Sequence, residues 1–256
     1  MKGPFRRESV GGASGLDVLV CEPLAEQGVP HGFTLRSRRW NGAEVFGARG
    51  EGDRDREELA RALGLGRGVA HMRQVHGNEV RAIDTPPSEP PVCDGLVTAE
   101  RSLALVVKTA DCVPIIFWDE RHNVVAAVHA GWRGALAAVP SRALVCLEER
   151  FGSRADSVHV VMGPAIGRCC YEVGGDVVEA FGKRFPHAEE LFTSGPRGRQ
   201  HLDLIQANAR PLVEAGVSTD RIYETGMCTS CENERFYSYR KEGKGVGRLM
   251  GMIGAL

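Results

Sequence analysis

Residues 103–134 read LALVVKTADCVPIIFWDERHNVVAAVHAGWRG. Three short apolar runs stand out in them: Leu103 to Val107, Val113 to Trp118, and Asn123 to Val128, the last running into His129. Runs of this length, rich in Val and Ile and bounded by turn residues, read as strands buried on both faces. Only Asp119 to His122 joins the second run to the third. That is too short for a parallel crossover, so the pair reads as an antiparallel hairpin. After a Gly131-Trp-Arg-Gly134 turn, Leu136, Leu144, Leu147 and Phe151 fall near a 3.6-residue period, which Gly152 stops. Pro140 inside that pattern calls for a kink, or for a helix that starts there.

Working outward, Ser157 to Met162 reads as a strand feeding a Gly163-Pro-Ala-Ile-Gly167 loop. Asp176 can cap a helix reaching Phe185, and Asp203 another ending at Gly216. Loops are expected at Arg49 to Arg56, Thr85 to Pro91 and Thr193 to Arg199. None is long enough for a domain linker, so residues 1–256 are read as one domain. Strands intermixed with helices, one pair of strands antiparallel, predict an α/β fold with mixed sheets.

Composition narrows the function classes. The chain has 256 residues, 43% hydrophobic and 25% charged, with a formal net charge of −1. No charge asymmetry points to nucleic acid or to a membrane surface. No apolar stretch approaches the roughly 18 residues of a membrane span, and Met1 to Gly12 lacks the apolar region of a secretion signal. Eight cysteines, Cys21, Cys93, Cys112, Cys146, Cys169, Cys170, Cys228 and Cys231, do not read as a disulfide-stapled mini-domain in so long a chain. Reduced thiols and a cytoplasmic location are the expectation.

Three segments put borderline metal ligands beside small or turn-forming residues: Arg73-Gln-Val-His-Gly77, Thr109-Ala-Asp-Cys-Val113 and Val128-His-Ala-Gly-Trp-Arg-Gly134. The hairpin carries Cys112 and His129 on neighbouring strands, where their side chains can converge. With His76 they make two imidazoles and one thiolate, a donor set that suits zinc with a fourth position open to water or substrate. A metal there lowers the pKa of bound water or polarises a substrate oxygen. Spacing alone does not establish this, because a His and a Cys so separated often occur together by chance. Asp111 adjoins Cys112 and can orient a ligand or move a proton; the plainer role is a turn cap.

Gln74-Val-His-Gly77, Asp94-Gly-Leu-Val-Thr98, Thr109-Ala-Asp-Cys112, Val128-His-Ala-Gly-Trp-Arg-Gly134 and Gly163-Pro-Ala-Ile-Gly-Arg-Cys-Cys-Tyr-Glu-Val173 resemble the YfiH-like family, also called the multicopper polyphenol oxidase or laccase-like family. Further matches are His31-Gly-Phe33, Leu202-Asp-Leu204, Ala207-Asn208, Cys228-Thr229 and Tyr237-Ser-Tyr-Arg240. The likeness runs from about residue 30 to 253, with residues 1–28 matching weakly. It implies a four-layer α/β/β/α sandwich. It also implies a zinc-dependent purine nucleoside phosphorylase acting on adenosine, inosine, guanosine and S-methyl-5'-thioadenosine, with adenosine deaminase activity. The metal ligands carried over are His76, Cys112 and His129, with copper as an alternative metal. Purine nucleosides and phosphate are the implied partners, without nucleic acid or membrane, and a monomer is expected. Arg36, in a family arginine motif, is the first candidate to clamp phosphate, and Arg133 the second, because a guanidinium pairs bidentately with anionic oxygens. Asp111 and Cys112 are the catalytic candidates.

Family members usually carry Ser-Leu-Asn-Leu-Gly where this chain has Ala43-Glu-Val-Phe-Gly47, so Val45 replaces an asparagine. Cys228-Thr-Ser-Cys231 has the spacing of half a zinc knuckle, but no second Cys-x-x-Cys or His pair follows it. A structural four-ligand zinc is therefore not expected, and Cys169-Cys170 read as buried packing. Phe236, Tyr237 and Tyr239 can stack on a purine or belong to the core. Gly163 to Gly167 can offer backbone N–H groups to phosphate, without a P-loop ending. The rival function is a Cys-His hydrolase or peptidoglycan-precursor editing factor, with Cys112 as nucleophile and His129 or His76 as base. A multicopper oxidase needs paired His motifs that the eight scattered histidines do not supply. A non-catalytic binding module would bury these residues without an open position.

Overall fold

The computed structural model describes residues 3–10, 16–37, 51–65 and 68–256. The Ala43 to Gly47 stretch, with Val45, lies outside the described residues. In chain order the elements are β1 (Phe5–Val10), β2 (Leu16–Cys21), α1 (Glu22–Glu26), β3 (His31–Thr34), α2 (Glu51–Ala62), β4 (Gly68–His71), β5 (Val80–Ala82) and β6 (Gly95–Thr98). There follow β7 (Leu103–Thr109), β8 (Val113–Asp119), β9 (Val124–Ala130), α3 (Trp132–Leu136), α4 (Val139–Phe151), β10 (Val158–Met162), β11 (Glu172–Val173) and α5 (Gly175–Arg184). The chain closes with β12 (Phe192–Ser194), β13 (Gln200–Leu202), α6 (Leu204–Glu214), β14 (Ile222–Glu224), α7 (Tyr239–Glu242) and β15 (Leu249–Gly254).

The three runs of the central stretch are β7, β8 and β9, and β8 pairs antiparallel with β9 from Val113↔Ala130 to Asp119↔Val124. Their alternation sorts side chains into two cores. Ile115, Phe117, Ala126 and Val128 face the helices, packed with Leu147 of α4 and Leu212 of α6. Ile116, Trp118, Val125 and Ala127 face Leu105 and Val107 of β7 and Phe33 of β3 in the other sheet. The outer face of that sheet, with Ala104 and Val106, packs on Leu59 and Ala60 of α2. Each fully buried aliphatic side chain brings about 1.5–3 kcal/mol of transfer free energy, which explains why strands apolar on both faces lie in the two inner layers. Two six-stranded sheets, β1-β2-β3-β15-β7-β4 and β14-β10-β8-β9-β6-β5, thus stack between helices as an α/β/β/α sandwich. Both are mixed: β4 with β7, β5 with β6, and β10 with β14 run parallel, and the other pairs antiparallel. A small sheet, β11-β13-β12, lies apart in the strand order.

Several local expectations are met. Pro140 sits in the first turn of α4, and Gly152 closes the helix at φ +73°. Asp203 caps α6 through the amide of Gln206. Others are corrected. The expected loop at Arg49 to Arg56 is helical from Glu51 onward, because Leu59 and Ala60 give an otherwise charged segment an apolar side to bury. Gly174, not Asp176, occupies the N-cap of α5; Asp176 lies in the first turn, where its charge complements the helix dipole. The Gly131–Gly134 turn is the start of α3.

Candidate metal centre and active site

His129 continues the alternation of Val125 and Ala127, so its side chain points between the sheets at the end of β9. Cys112 precedes β8, opposite that end. His76 arrives from a different part of the chain, the turn between β4 and β5. The ligand atoms of His76, Cys112 and His129 all lie within 4.8 Å of one another, and the two imidazole rings meet edge to face with centroids 4.7 Å apart.

Asp94 organises this convergence. It is fully buried and receives the amides of Val75 (3.2 Å), His76 (3.0 Å) and Gly77 (2.6 Å). Its Oδ1 also lies 2.8 Å from Nδ1 of His129. The three donors hold His76 in a left-handed conformation, φ +61°, which a non-glycine residue adopts only when surrounding contacts compensate. The bond to Nδ1 leaves Nε2 of His129 turned toward Cys112. A carboxylate behind a ligating histidine is the arrangement that fixes its tautomer in metal sites. Gly131 completes the cradle: a Cβ there would sit 2.9 Å from Sγ of Cys112 and 3.3 Å from Cδ2 of His76. The space among His76, Cys112 and His129 exists because position 131 has no side chain.

Electrostatics suit a ligand set. Burial pushes the Cys112 thiol up, but hydrogen bonds and charge from His129 and His76 outweigh it and bring it down to about 6. Burial works against a charged His129, while Asp94 and the Cys112 thiolate raise it to about 9. Burial raises Asp94, and His129 with the Gly77 and Val75 amides more than offsets this, leaving it below the usual carboxylate range. Cys112 and His129 are thus an ion pair extended to Asp94. A divalent cation could replace the proton between them, meeting a thiolate and neutral imidazoles. Two nitrogens and one sulfur fit a borderline metal with an open position.

The three residues lie in the wall of a cavity of about 1180 Å³. Six cations line it, Arg73, Arg81, Lys108, Arg133, Arg240 and Arg248, against the acidic Glu89 and Asp111. Trp132, Tyr171 and Tyr239 add aromatic surface. Arg133 lies over the Trp132 ring at 4.2 Å, and Arg240 over Tyr171 at 5.3 Å. Asp111, at φ +90°, accepts from the Thr229 hydroxyl and the Arg240 amide, both at 2.6 Å. Arg36 is not among the lining residues. It pairs with Glu242, donates to the Phe236 carbonyl at 3.3 Å, and stacks on Tyr237 at 4.4 Å. Of the three aromatics near the C-terminus, Phe236 and Tyr237 are buried, whereas Tyr239 faces the cavity. The Gly163–Gly167 loop is absent from the lining; Gly163 packs on the Phe33 ring, and the Gly167 amide donates to Sγ of Cys228.

Two features escape sequence reasoning. Asp94 was visible only as a motif member, since nothing local marks a carboxylate that collects donors from residues 75–77 and 129. The reading of Cys228 and Cys231 as lacking further ligands is corrected: Cys169 and Cys170 lie beside them, and the four sulfurs are mutually within 4.8 Å. Nor are Cys169 and Cys170 buried packing, since Cys169 is exposed and Cys170 half-buried.

Comparison with known proteins agrees with the motifs. The family profile described as multi-copper polyphenol oxidoreductase laccase matches residues 42–256. Adenosine deaminase RL5, from an unknown prokaryotic organism, is 38% identical over 186 residues, 69% of this chain and 71% of that protein. A purine nucleoside phosphorylase of Deinococcus radiodurans is 34% identical over 251 residues, 94% of each chain. The crystal structure of YlmD from Geobacillus stearothermophilus superposes with a TM-score of 0.85 at 29% identity, covering 99% of both chains. YfiH of Bacillus licheniformis gives 0.84 at 27%, again over 99% of both. Sequence motifs, fold and relatives converge: this chain belongs to the multi-copper polyphenol oxidoreductase laccase family, the YfiH-like family.

Proposed function

We propose that this protein is a zinc-dependent purine nucleoside phosphorylase that acts on adenosine, inosine, guanosine and S-methyl-5'-thioadenosine and also deaminates adenosine. The observation that carries the reading is the convergence of His76, Cys112 and His129 in the wall of a cationic, aromatic-lined cavity. Relatives named purine nucleoside phosphorylase and adenosine deaminase support it. In phosphorolysis an oxygen of phosphate bonds to the anomeric carbon of the ribose, the glycosidic C–N bond breaks, and the purine leaves with a proton. The cavity's cations suit the attacking anion. Among the arginines expected to hold phosphate, Arg133 lines the cavity and takes that role, its guanidinium braced on Trp132. Arg36 acts at one remove: its pairing with Glu242 holds α7, which begins with Tyr239 and Arg240. Tyr171 and Tyr239 offer stacking faces to the purine.

Zinc held by His76, Cys112 and His129 would supply Lewis-acid activation of water or of a substrate oxygen. Asp111 is the carboxylate beside that centre with its orientation fixed by Thr229 and Arg240, and we assign it proton transfer in deamination. The chain is read as a monomer in the cytoplasm. Among the described residues, no helix is long and apolar enough to cross a membrane.

The test is to incubate the protein with adenosine, inosine and S-methyl-5'-thioadenosine, with and without phosphate, and resolve the products. Free base and ribose phosphate that require phosphate, and inosine from adenosine, are expected; no product above a Cys112→Ala control would sink the reading. One observation favours a second reading. The Cys112–His129–Asp94 chain is a thiol, base and orienting carboxylate, the order a cysteine hydrolase uses. That reading requires activity to survive metal removal and to vanish on alkylation of Cys112. The nucleoside reading requires loss on metal removal and recovery on adding zinc.

A further inference from the structure

β10 and β14 run parallel, Val160↔Ile222 to Met162↔Glu224, so the chain leaves both strands at the same end. The two outgoing segments are stitched together at once. Thr225 N–H donates to Met162 O at 3.3 Å and Thr229 N–H to Ala165 O at 3.0 Å, beside a parallel bridge from Ala165 to Cys228. Each segment then folds tightly. Cys170 and Tyr171 donate to the carbonyl of Gly167, and Glu232 to that of Cys228. These turns bring Cys169 and Cys170, adjacent in sequence, against the Cys228-Thr-Ser-Cys231 pair.

All four Sγ atoms lie within 4.8 Å of one another, with Cys169–Cys231 at 3.5 Å and Cys170–Cys231 at 3.4 Å. The four are free thiols. Sulfurs about 2.3 Å from a tetrahedral zinc stand roughly 3.8 Å apart, so a cluster whose sulfurs all lie within 4.8 Å closes on one ion with changes of no more than about 1 Å in any S···S distance. Gly167 fits the same picture. Its amide donates to Sγ of Cys228 at 3.2 Å, and a Cβ there would meet Sγ of Cys169 at 3.2 Å and that of Cys228 at 3.5 Å. Cys228 is buried while Cys169 and Cys231 are exposed, which leaves an entry path from solvent.

We propose that Cys169, Cys170, Cys228 and Cys231 form a second metal site, a closed tetrathiolate for zinc, separate from the His76–Cys112–His129 centre. Four protein ligands leave no position for substrate, so the ion is structural. Binding displaces the thiol protons into solvent and replaces them with four Zn–S bonds, without any change of oxidation state. The site ties two walls of the catalytic cavity. Tyr171 follows Cys170 and lines the cavity; Thr229 follows Cys228 and holds Asp111; Arg240 donates to the Cys170 carbonyl at 3.4 Å. An ion here fixes Tyr171 relative to Asp111 and Arg240 before any ligand enters.

The experiment does not depend on the reaction catalysed. Protein purified under reducing conditions is analysed for metal by mass spectrometry, as the parent, as Cys112→Ala, as Cys231→Ser and as the double variant. Two equivalents of zinc are expected in the parent, one in each single variant and none in the double. Cobalt added to the metal-free Cys112→Ala protein should produce the intense visible bands and sulfur charge-transfer absorption of a tetrathiolate. That measurement stands even where Cys231→Ser fails to fold. A Cys112→Ala protein that binds no zinc with its thiols reduced overturns the proposal, as does a cobalt spectrum lacking sulfur charge transfer. Intact mass showing these four cysteines joined in disulfides, with no metal regained on reduction, overturns it too.

Discussion

Replacing Asp94 by asparagine tests the framework of the proposed metal centre, because one buried carboxylate serves four donors. Asp94→Asn keeps the shape but has one acceptor oxygen. With that oxygen directed at His129 and the His76 amide, its NH₂ group faces the Gly77 amide, now 2.6 Å from Oδ2, and a hydrogen bond becomes a donor–donor clash. Hydrogen bonds to a charged group are worth about 1.5–3 kcal/mol each. Removing one partner of a buried pair costs about 3–5 kcal/mol. The rise of His129 to about 9 has the same sign: burial works against its charged form, and Asp94 with the Cys112 thiolate outweighs it. These figures agree on a loss of about 3–5 kcal/mol. At about 2–4 °C per kcal/mol for a chain of this size, the melting temperature should fall by about 6–20 °C. Zinc affinity should fall about 10–100-fold through loss of the partner that orients His129.

Acid unfolding supplies a signed check. Because the folded carboxyl titrates below its ordinary value, the stabilisation is present above about pH 4, the unfolded carboxyl range, and is lost as pH falls through the folded value. The parent should lose that increment on acidification, and Asp94→Asn should not. Calorimetry across pH and zinc competition against a chromophoric chelator measure both effects. A variant melting within about 1 °C of the parent at pH 7 and holding zinc as tightly would refute the role given to Asp94.

In metal-stripped protein the rate of iodoacetamide alkylation at Cys112 should rise with pH around a midpoint near 6, since the thiolate is the reactive form and His129 and His76 favour it over the effect of burial; a midpoint above 8 contradicts this, and added zinc should suppress the reaction. Gly131→Ala puts a Cβ 2.9 Å from Sγ of Cys112, so metal content and activity should drop at least about tenfold with little change in circular dichroism, by analogy with the sensitivity of ligand placement; full zinc occupancy would show that the cradle tolerates the methyl. Thr229→Val removes the hydroxyl donor to buried Asp111 and should cost about 1–3 kcal/mol in urea unfolding; an unchanged unfolding midpoint would contradict the role given to this bond.

The sequence by itself determined the inner layers and part of the site. Strands as apolar on both faces as Val113–Asp119 and Val124–Ala130 must be covered on both sides, and their four-residue connection admits only a hairpin. That hairpin puts Cys112 and His129 side by side by local geometry alone. Other features depended on contacts between distant segments. His76 reaches the site because Asp94, on the approach to β6, gathers the amides of residues 75–77 and the ring of His129. Arg36, expected in the cavity, is drawn off by Glu242 and Tyr237, some 200 positions away. Cys228 and Cys231 looked like half a site because their counterparts lie about sixty residues earlier, brought beside them by the parallel pairing of β10 and β14 and the contacts that continue it. Periodicity and turn chemistry act over a few residues and can be read from a sequence. Which loops emerge together from the edge of a sheet is set by strand order, and only the folded chain decides that.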